Sequence, residues 1–295
     1  MASPELDLVM KLLRSRPQVT GHDVAKMRGG LEAMTAGAAL PPDVARESFA
    51  IEGVPAEWLT AEGADPGRVL LYLHGGGYVI GSINTHRDLG ARLSRATGAR
   101  ALLIDYRLAP ENPHPAAVED SVKTYRWLLA RGYDPRRIAI GGDSAGGGLA
   151  VATLVALRDA GDPLAACGVC LSPWVDLAHE GESMTTRAHL DPMVQGDGLR
   201  RMAEMYLGEH HAKTALASPL HADLSGLPPL LVQVGTAEIL LDDSTRLAER
   251  ARAAGVDVEF EAWDDMIHVW QAFAAILPEA RDAIDRIGSF VRDRT

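Results

Sequence analysis

The chain has 295 residues, 47% of them hydrophobic and 23% charged, which is enough apolar sequence to bury a large core in one or two domains and argues against a disordered chain. Forty acidic against 29 basic residues leave a net charge of −11, and the Lys and Arg are scattered, so the basic footprint required by nucleic acid or an anionic membrane is missing. No run reaches the ~18 apolar residues of a membrane span, and the N-terminus carries charges throughout with no uninterrupted apolar h-region, so a cytoplasmic protein is expected.

Residues 1–45 show helix-like apolar spacing, Leu6, Val9, Met10 and Leu13 and then Val24, Met27, Leu31 and Met34, with Pro41-Pro42 as a stop. Residues 45–60 alternate around Gly53 and predict a leading hairpin. From residue 69 onward, strand candidates at 69–73, 101–105, 138–141, 168–172, 230–234 and 257–262 alternate with helical stretches near 86–97, 116–131, 145–160 and 243–254. A last helical stretch runs from about 268 to the end and is expected to be interrupted by Pro278. This alternation predicts the α/β class, a mostly parallel central sheet flanked by helices. Residues 176–226 separate two core strands by more than a normal crossover and contain a helical patch at 197–207. The expected organisation is a core of 46–175 and 227–295, with 1–45 and 176–226 as additions covering one end of the sheet. Cys167 and Cys170 fall in an apolar strand with no second pair to complete a metal site, so both are read as reduced core residues.

Two glycine clusters carry the chemistry. Residues 141–148, GGDSAGGG, follow one strand and open a helix, and they contain Gly142-Asp143-Ser144-Ala145-Gly146, a G-x-S-x-G match in strand-turn-helix context. Neither cluster fits a Walker loop or a dinucleotide loop. A serine attacking a carbonyl generates an oxyanion that fixed N–H donors must stabilise. The earlier cluster, HGGGYVIGS at 74–82, supplies bare backbone for that purpose, with the amides of Gly76, Gly77 and Ala145 as candidate donors. His268, just past the last strand, stands where a base should in the chain order Ser, acid, His. The orienting carboxylate is expected after strand 230–234, where Glu238 comes first and Asp242 and Asp243 stand at a helix start. His74 is read as shaping its loop, and the other histidines lack metal-ligand spacing.

These residues resemble the bacterial hormone-sensitive-lipase-like branch of the α/β-hydrolases. The matching motifs are HGGGYVIGS, DYRLAPENPHPAAVED (105–120), GDSAGGG, SPW (172–174), GTAEILLDD and MIHVW (266–270), spread over most of residues 69–290. The resemblance implies an α/β-hydrolase fold with a helical cap, into which the two additions fit. It implies a carboxylesterase acting on short- to medium-chain acyl esters through an acyl-enzyme, with Ser144 as nucleophile, His268 as base and Glu238 at the acid position. It also implies Gly76, Gly77 and Ala145 as oxyanion hole, no metal or organic cofactor, a small-molecule ester as partner, and a homodimer as the common assembly. The family more often has Asp-Pro where this chain has Glu238-Ile239, and the RLAPE stretch is a supporting turn in it. The competing reading is a catalytically weak small-molecule-binding protein of the same fold, which would typically lack the histidine found here at 268.

Overall fold

The computed structural model describes residues 3–15, 23–37 and 40–295, so residues 1–2, 16–22 and 38–39 of the expected N-terminal addition lie outside it. Two helices, α1 (Pro4–Arg14) and α2 (Val24–Thr35), precede the hairpin of β1 (Val44–Ile51) and β2 (Val54–Ala61). Glu52 and Gly53 join these strands, both with positive φ, the backbone that a two-residue hairpin turn demands. Strands and helices then alternate as β3 (Asp65–Leu73), α3 (Ile83–Thr97), β4 (Ala99–Ile104), α4 (Ala116–Ala130), β5 (Ile138–Asp143), α5 (Ala145–Asp159) and β6 (Cys167–Leu171). After the short α6 (Ser183–Thr186) and α7 (Gly196–Leu207) come β7 (Leu230–Gly235), α8 (Leu241–Ala253), β8 (Val258–Trp263) and α9 (Pro278–Arg292).

The strands form one eight-stranded sheet in the order β1-β2-β4-β3-β5-β6-β7-β8. Strands β3 to β8 run parallel, and β1 and β2 add an antiparallel edge. Because side chains alternate along a strand, Val69, Leu71 and Leu73 enter the core layer shared with α4, α5 and α8, while Leu70 and Tyr72 enter the layer shared with α3 and α9. Buried Cys167 and Cys170 in β6 are unpaired, and burial pushes both thiols up to about 12.

The C-terminal boundary differs from expectation. Residues 264–277 form turns with a short 3-10 segment at Trp270–Phe273, and Pro278 begins α9 instead of interrupting a longer helix. Proline suits the first helical turn, where its missing N–H has no partner to lose.

The two additions are not uniform. Helix α1 buries Leu6, Val9 and Leu13 in the α3 and α9 layer, and Ser3 donates from its amide and hydroxyl to Glu279 at the start of α9 (2.8 and 2.9 Å). Helix α2 buries no residue fully and reaches the loops after β3 and β4 through polar side chains. In the 176–226 stretch, Arg158 of α5 ties down the carbonyls of Asp223 and Ser225 (2.7 and 2.6 Å). Helix α7 instead lies over the loop after β3, where Tyr206 stacks on Tyr78 with centroids 3.8 Å apart. The loop ends of β3, β5, β6 and β7 thus converge at one end of the sheet, beneath α2 and α7.

Leu71 is fully buried in the central strand, against the α4 and α5 layer. Leu71→Ala is expected to cost about 2–5 kcal/mol through lost burial and an unfilled cavity. The check is a urea unfolding series, in which the midpoint should fall at an unchanged slope.

Candidate active site

Strand β5 ends at Asp143 and α5 begins at Ala145, so Ser144 alone makes the turn, at φ 53° and ψ −121°. Such backbone costs a non-glycine residue on the order of 1–3 kcal/mol and persists only where its surroundings enforce it. Here the Ser144 amide donates to the Leu171 carbonyl (2.8 Å), and its own carbonyl accepts from Gly148 and Trp174 (3.1 and 2.9 Å). A Cβ at Gly142 would collide with the carbonyl oxygens of Leu73 and Gly146, and one at Gly146 with those of Leu73 and His74. Both flanking glycines are therefore steric requirements, and the serine is presented at the N-terminus of α5, where the helix dipole favours developing negative charge.

The three glycines after β3 each answer a different demand. At Gly75 a Cβ would meet the Asp143 carboxylate, and Gly76 and Gly77 take φ of 116° and 60°. Gly75 donates to Asp143 Oδ1 (3.1 Å), which also accepts from the Tyr72 hydroxyl (2.8 Å). Among the described residues, the amides of Gly76, Gly77 and Ala145 donate to no protein acceptor. His74 lies stacked on Tyr106 (4.2 Å) with Nδ1 2.7 Å from the Gly75 carbonyl oxygen, and burial, reinforced by His86, lowers it to about 3. It is a neutral shaping group, as its loop position suggested. Burial works against charge on both His86 and Asp143, yet their mutual attraction at 3.2 Å outweighs it, raising the imidazole and lowering the carboxyl.

His268 follows β8 and is buried, with Nδ1 2.6 Å from Glu238 Oε2. Burial alone would depress its imidazole, but the charge and hydrogen bond of Glu238, helped by Asp191 and Asp143, raise it above the ordinary value. Glu238 is completely buried, and its other oxygen accepts from the Gly235 amide and the Ser172 hydroxyl, both at 2.7 Å. Val269 donates its amide to Ser172 Oγ (3.1 Å), so one hydroxyl joins Glu238 to the backbone beside His268. The pairing of His268 with Glu238 is formed, whereas among the described residues Ser144 Oγ makes no protein hydrogen bond; such links often tighten only with substrate present.

The two alternative carboxylates serve elsewhere. Asp242 accepts from the Ser183 amide (2.8 Å), and Asp243 accepts from the amides of Val175 and Asp176 (3.0 and 2.9 Å), tying the chain after β6 to α8. Sequence reasoning gave no role to Ser172, Asp191 or the His86–Asp143 pair. The SPW match at the end of β6 was a usable signal for Ser172. Asp191 accepts from the Ile239 amide (3.1 Å) across a long loop, and nothing local marks it. The described residues also gather Asp176, Glu180 and His221, but Arg246 Nη1 already pairs with Asp176 there (2.7 Å), so a cation would meet a resident positive charge.

Residues 70–272 match a family described by its α/β hydrolase fold. An acetyl-hydrolase of Streptomyces hygroscopicus is 47% identical, with the alignment covering 100% of this chain and 98% of that protein. Among solved structures, an esterase from the bacterial hormone-sensitive lipase family superposes with a TM-score of 0.97 at 56% identity, covering 100% of this chain and 99% of the other. A crystal of the esterase EstE5 soaked with p-nitrophenyl butyrate gives 0.96 at 49% identity over 99% of both chains. The fold is that of an α/β-hydrolase. More particularly, the chain belongs to the bacterial hormone-sensitive lipase family and is a carboxylic ester hydrolase.

Burial raises the Asp243 carboxyl from 3.8 to about 7, its two amide donors notwithstanding. Between those values the folded protein holds a proton that the unfolded chain has released, so stability falls as pH rises. Asp243→Asn cannot ionise. Its stability relative to the parent should therefore improve from about pH 4 to about pH 8. Denaturation midpoints of both proteins at several pH values test this, and a constant difference would contradict it.

Proposed function

We propose that the protein hydrolyses short- to medium-chain acyl esters through an acyl-enzyme on Ser144, with His268 as base and Glu238 as its orienting acid. The observation that carries this reading is the 2.6 Å contact of His268 Nδ1 with Glu238, whose second oxygen is fully used by Gly235 and Ser172. A carboxylate so held keeps the Nδ1 proton in place and leaves Nε2 free to accept one. In the first half-reaction Ser144 Oγ gives its proton to His268 Nε2 and attacks the ester carbonyl. The oxyanion is held by the amides of Gly76, Gly77 and Ala145. Collapse expels the alcohol, which takes the proton from His268, and leaves the acyl group on Ser144. A water then loses its proton to His268 and attacks the acyl carbon, and Ser144 leaves reprotonated.

In the same reading α2 and the α7 region form the cap. The short-chain preference draws support from Met202, which faces Gly77 so closely that a Cβ there would strike its sulfur, and from Tyr206 packed on Tyr78. Rates on p-nitrophenyl esters should peak at short to medium acyl length and fall for long chains. A folded protein inert on every ester would favour the binding-protein alternative.

Ser144→Ala should abolish turnover, and a fluorophosphonate adduct mapped by mass spectrometry should sit on Ser144. Glu238→Gln should lower kcat by up to ~10⁴-fold with the fold retained, whereas Asp242→Asn and Asp243→Asn should do far less. Near-normal kcat in Glu238→Gln, beside collapse in either Asp variant, would transfer the acid role. The base must be neutral to accept a proton, so activity rises with pH through the titration of His268. That limb should centre above the ordinary imidazole value of 6.5, and Glu238→Gln should move it down.

A further inference from the structure

We propose that Arg28 is a positioning residue for the oxyanion hole, acting from α2 through a relay of rigid peptide planes. The inference rests on the reading of the Gly77 amide as an oxyanion donor. Arg28 Nε donates to the Val79 carbonyl (2.8 Å), and Nη2 donates to the Ala109 carbonyl (2.9 Å). The outer edge of the guanidinium grips Glu111 with two bonds (3.0 and 2.7 Å). One helical turn later, Glu32 accepts from the Ser82 hydroxyl (2.5 Å), so the same face of α2 holds the loop at Val79 and again at its end.

In a trans peptide the C=O and the following N–H lie in one plane and point in opposite directions. The carbonyl of Val79 shares its plane with the amide of Ile80, which donates to the Gly76 carbonyl (2.9 Å). The Gly76 carbonyl in turn shares its plane with the amide of Gly77. Fixing the Val79 carbonyl from outside therefore fixes the direction of the Gly77 N–H in the next plane. The Val79 amide donates to the same Gly76 oxygen (3.1 Å), and the carbonyl in its plane, that of Tyr78, accepts from Ala109 (2.9 Å). A guanidinium at the head of such a chain also polarises each amide toward the oxyanion end.

The Arg28 and Glu111 side chains remain 32% and 57% exposed, which makes their ion pair a weak contributor to stability. Activity and stability should separate on that account. Arg28→Met should lower kcat on p-nitrophenyl butyrate by about 10- to 100-fold, less than the loss of an oxyanion donor itself, with KM changed by less than about twofold. Affinity for a trifluoromethyl ketone, whose adduct on Ser144 puts an oxyanion in the hole, should fall by the same factor. Arg28→Lys, which keeps a charge and one strong donor, should recover part of both losses, and it decides the matter if the Met variant proves unstable on melting. Unchanged kcat in Arg28→Met, or a loss confined to KM with ketone affinity intact, overturns the proposal. A parent protein that neither turns over esters nor takes a fluorophosphonate on Ser144 sinks the ester-hydrolysis reading and this one together. An active, labelled parent beside an unaffected Arg28→Met sinks this one alone.

Discussion

Everything at the site depends on two turns of backbone touching without side chains between them. Strands β3 and β5 are neighbours, and the carbonyls of Leu73 and His74 lie where a Cβ on Gly142 or Gly146 would have to be. That approach sets the strained serine beside the three-glycine loop. Any bulk in the gap would push the Ser144 turn and the glycine loop apart. The conformational entropy lost at so many glycines is offset by the dense sheet beneath, where Leu71, Leu73, Ile140 and Val232 are wholly buried. The rigidity of the core thus becomes the rigidity of the site.

Onto this backbone frame the protein builds two buried ionic groups that do different work. Asp143 and His86 pair behind the β3 loop and lock Gly75, and the carboxylate beside Ser144 raises the imidazole while the imidazole lowers the carboxyl. His268 is raised by Glu238, with Asp191 adding to the field. His74, enclosed by aromatic rings and close to His86, is driven the other way and stays neutral. Burial lowers all three histidines at this end of the sheet, and only His86 and His268, each bonded to a carboxylate, are raised in spite of it.

What could be read from the sequence was whatever is written in consecutive residues. The steric demands of the turn appear as Gly142-Asp143-Ser144-Ala145-Gly146 and those of the loop as Gly75-Gly76-Gly77, because each involves neighbours along the chain. Strand and helix spans followed from periodicity for the same reason, and Pro278 was misjudged because a proline inside an apolar pattern reads as a break whether it ends one helix or starts another. Long-range partners left no such trace. The bonds of Ser172 to Glu238, Asp191 to Ile239 and Arg28 to Val79 join residues 66, 48 and 51 positions apart, and each is fixed only by how the sheet order folds the chain back. The choice among Glu238, Asp242 and Asp243 was open in the sequence because all three follow one strand; in the fold Glu238 bonds His268, whereas Asp242 and Asp243 bond Ser183, Val175 and Asp176.

The glutamate at 238 has a geometric logic of its own. It lies three residues past Gly235, and its Oε1 turns back onto the Gly235 amide while Oε2 reaches His268. The longer side chain therefore spans from its own turn to His268. Ser172, at the end of the adjacent strand with φ of 45°, supplies the third donor and couples the same oxygen to Val269. Asp242 and Asp243 bind Ser183, Val175 and Asp176, which anchors the start of the segment leading to α7. One carboxylate turned toward the histidine and two turned toward the chain after β6 make residues 238–243 a shared support, so the placement of the proposed base and the anchoring of the segment leading to α7 are fixed from the same stretch.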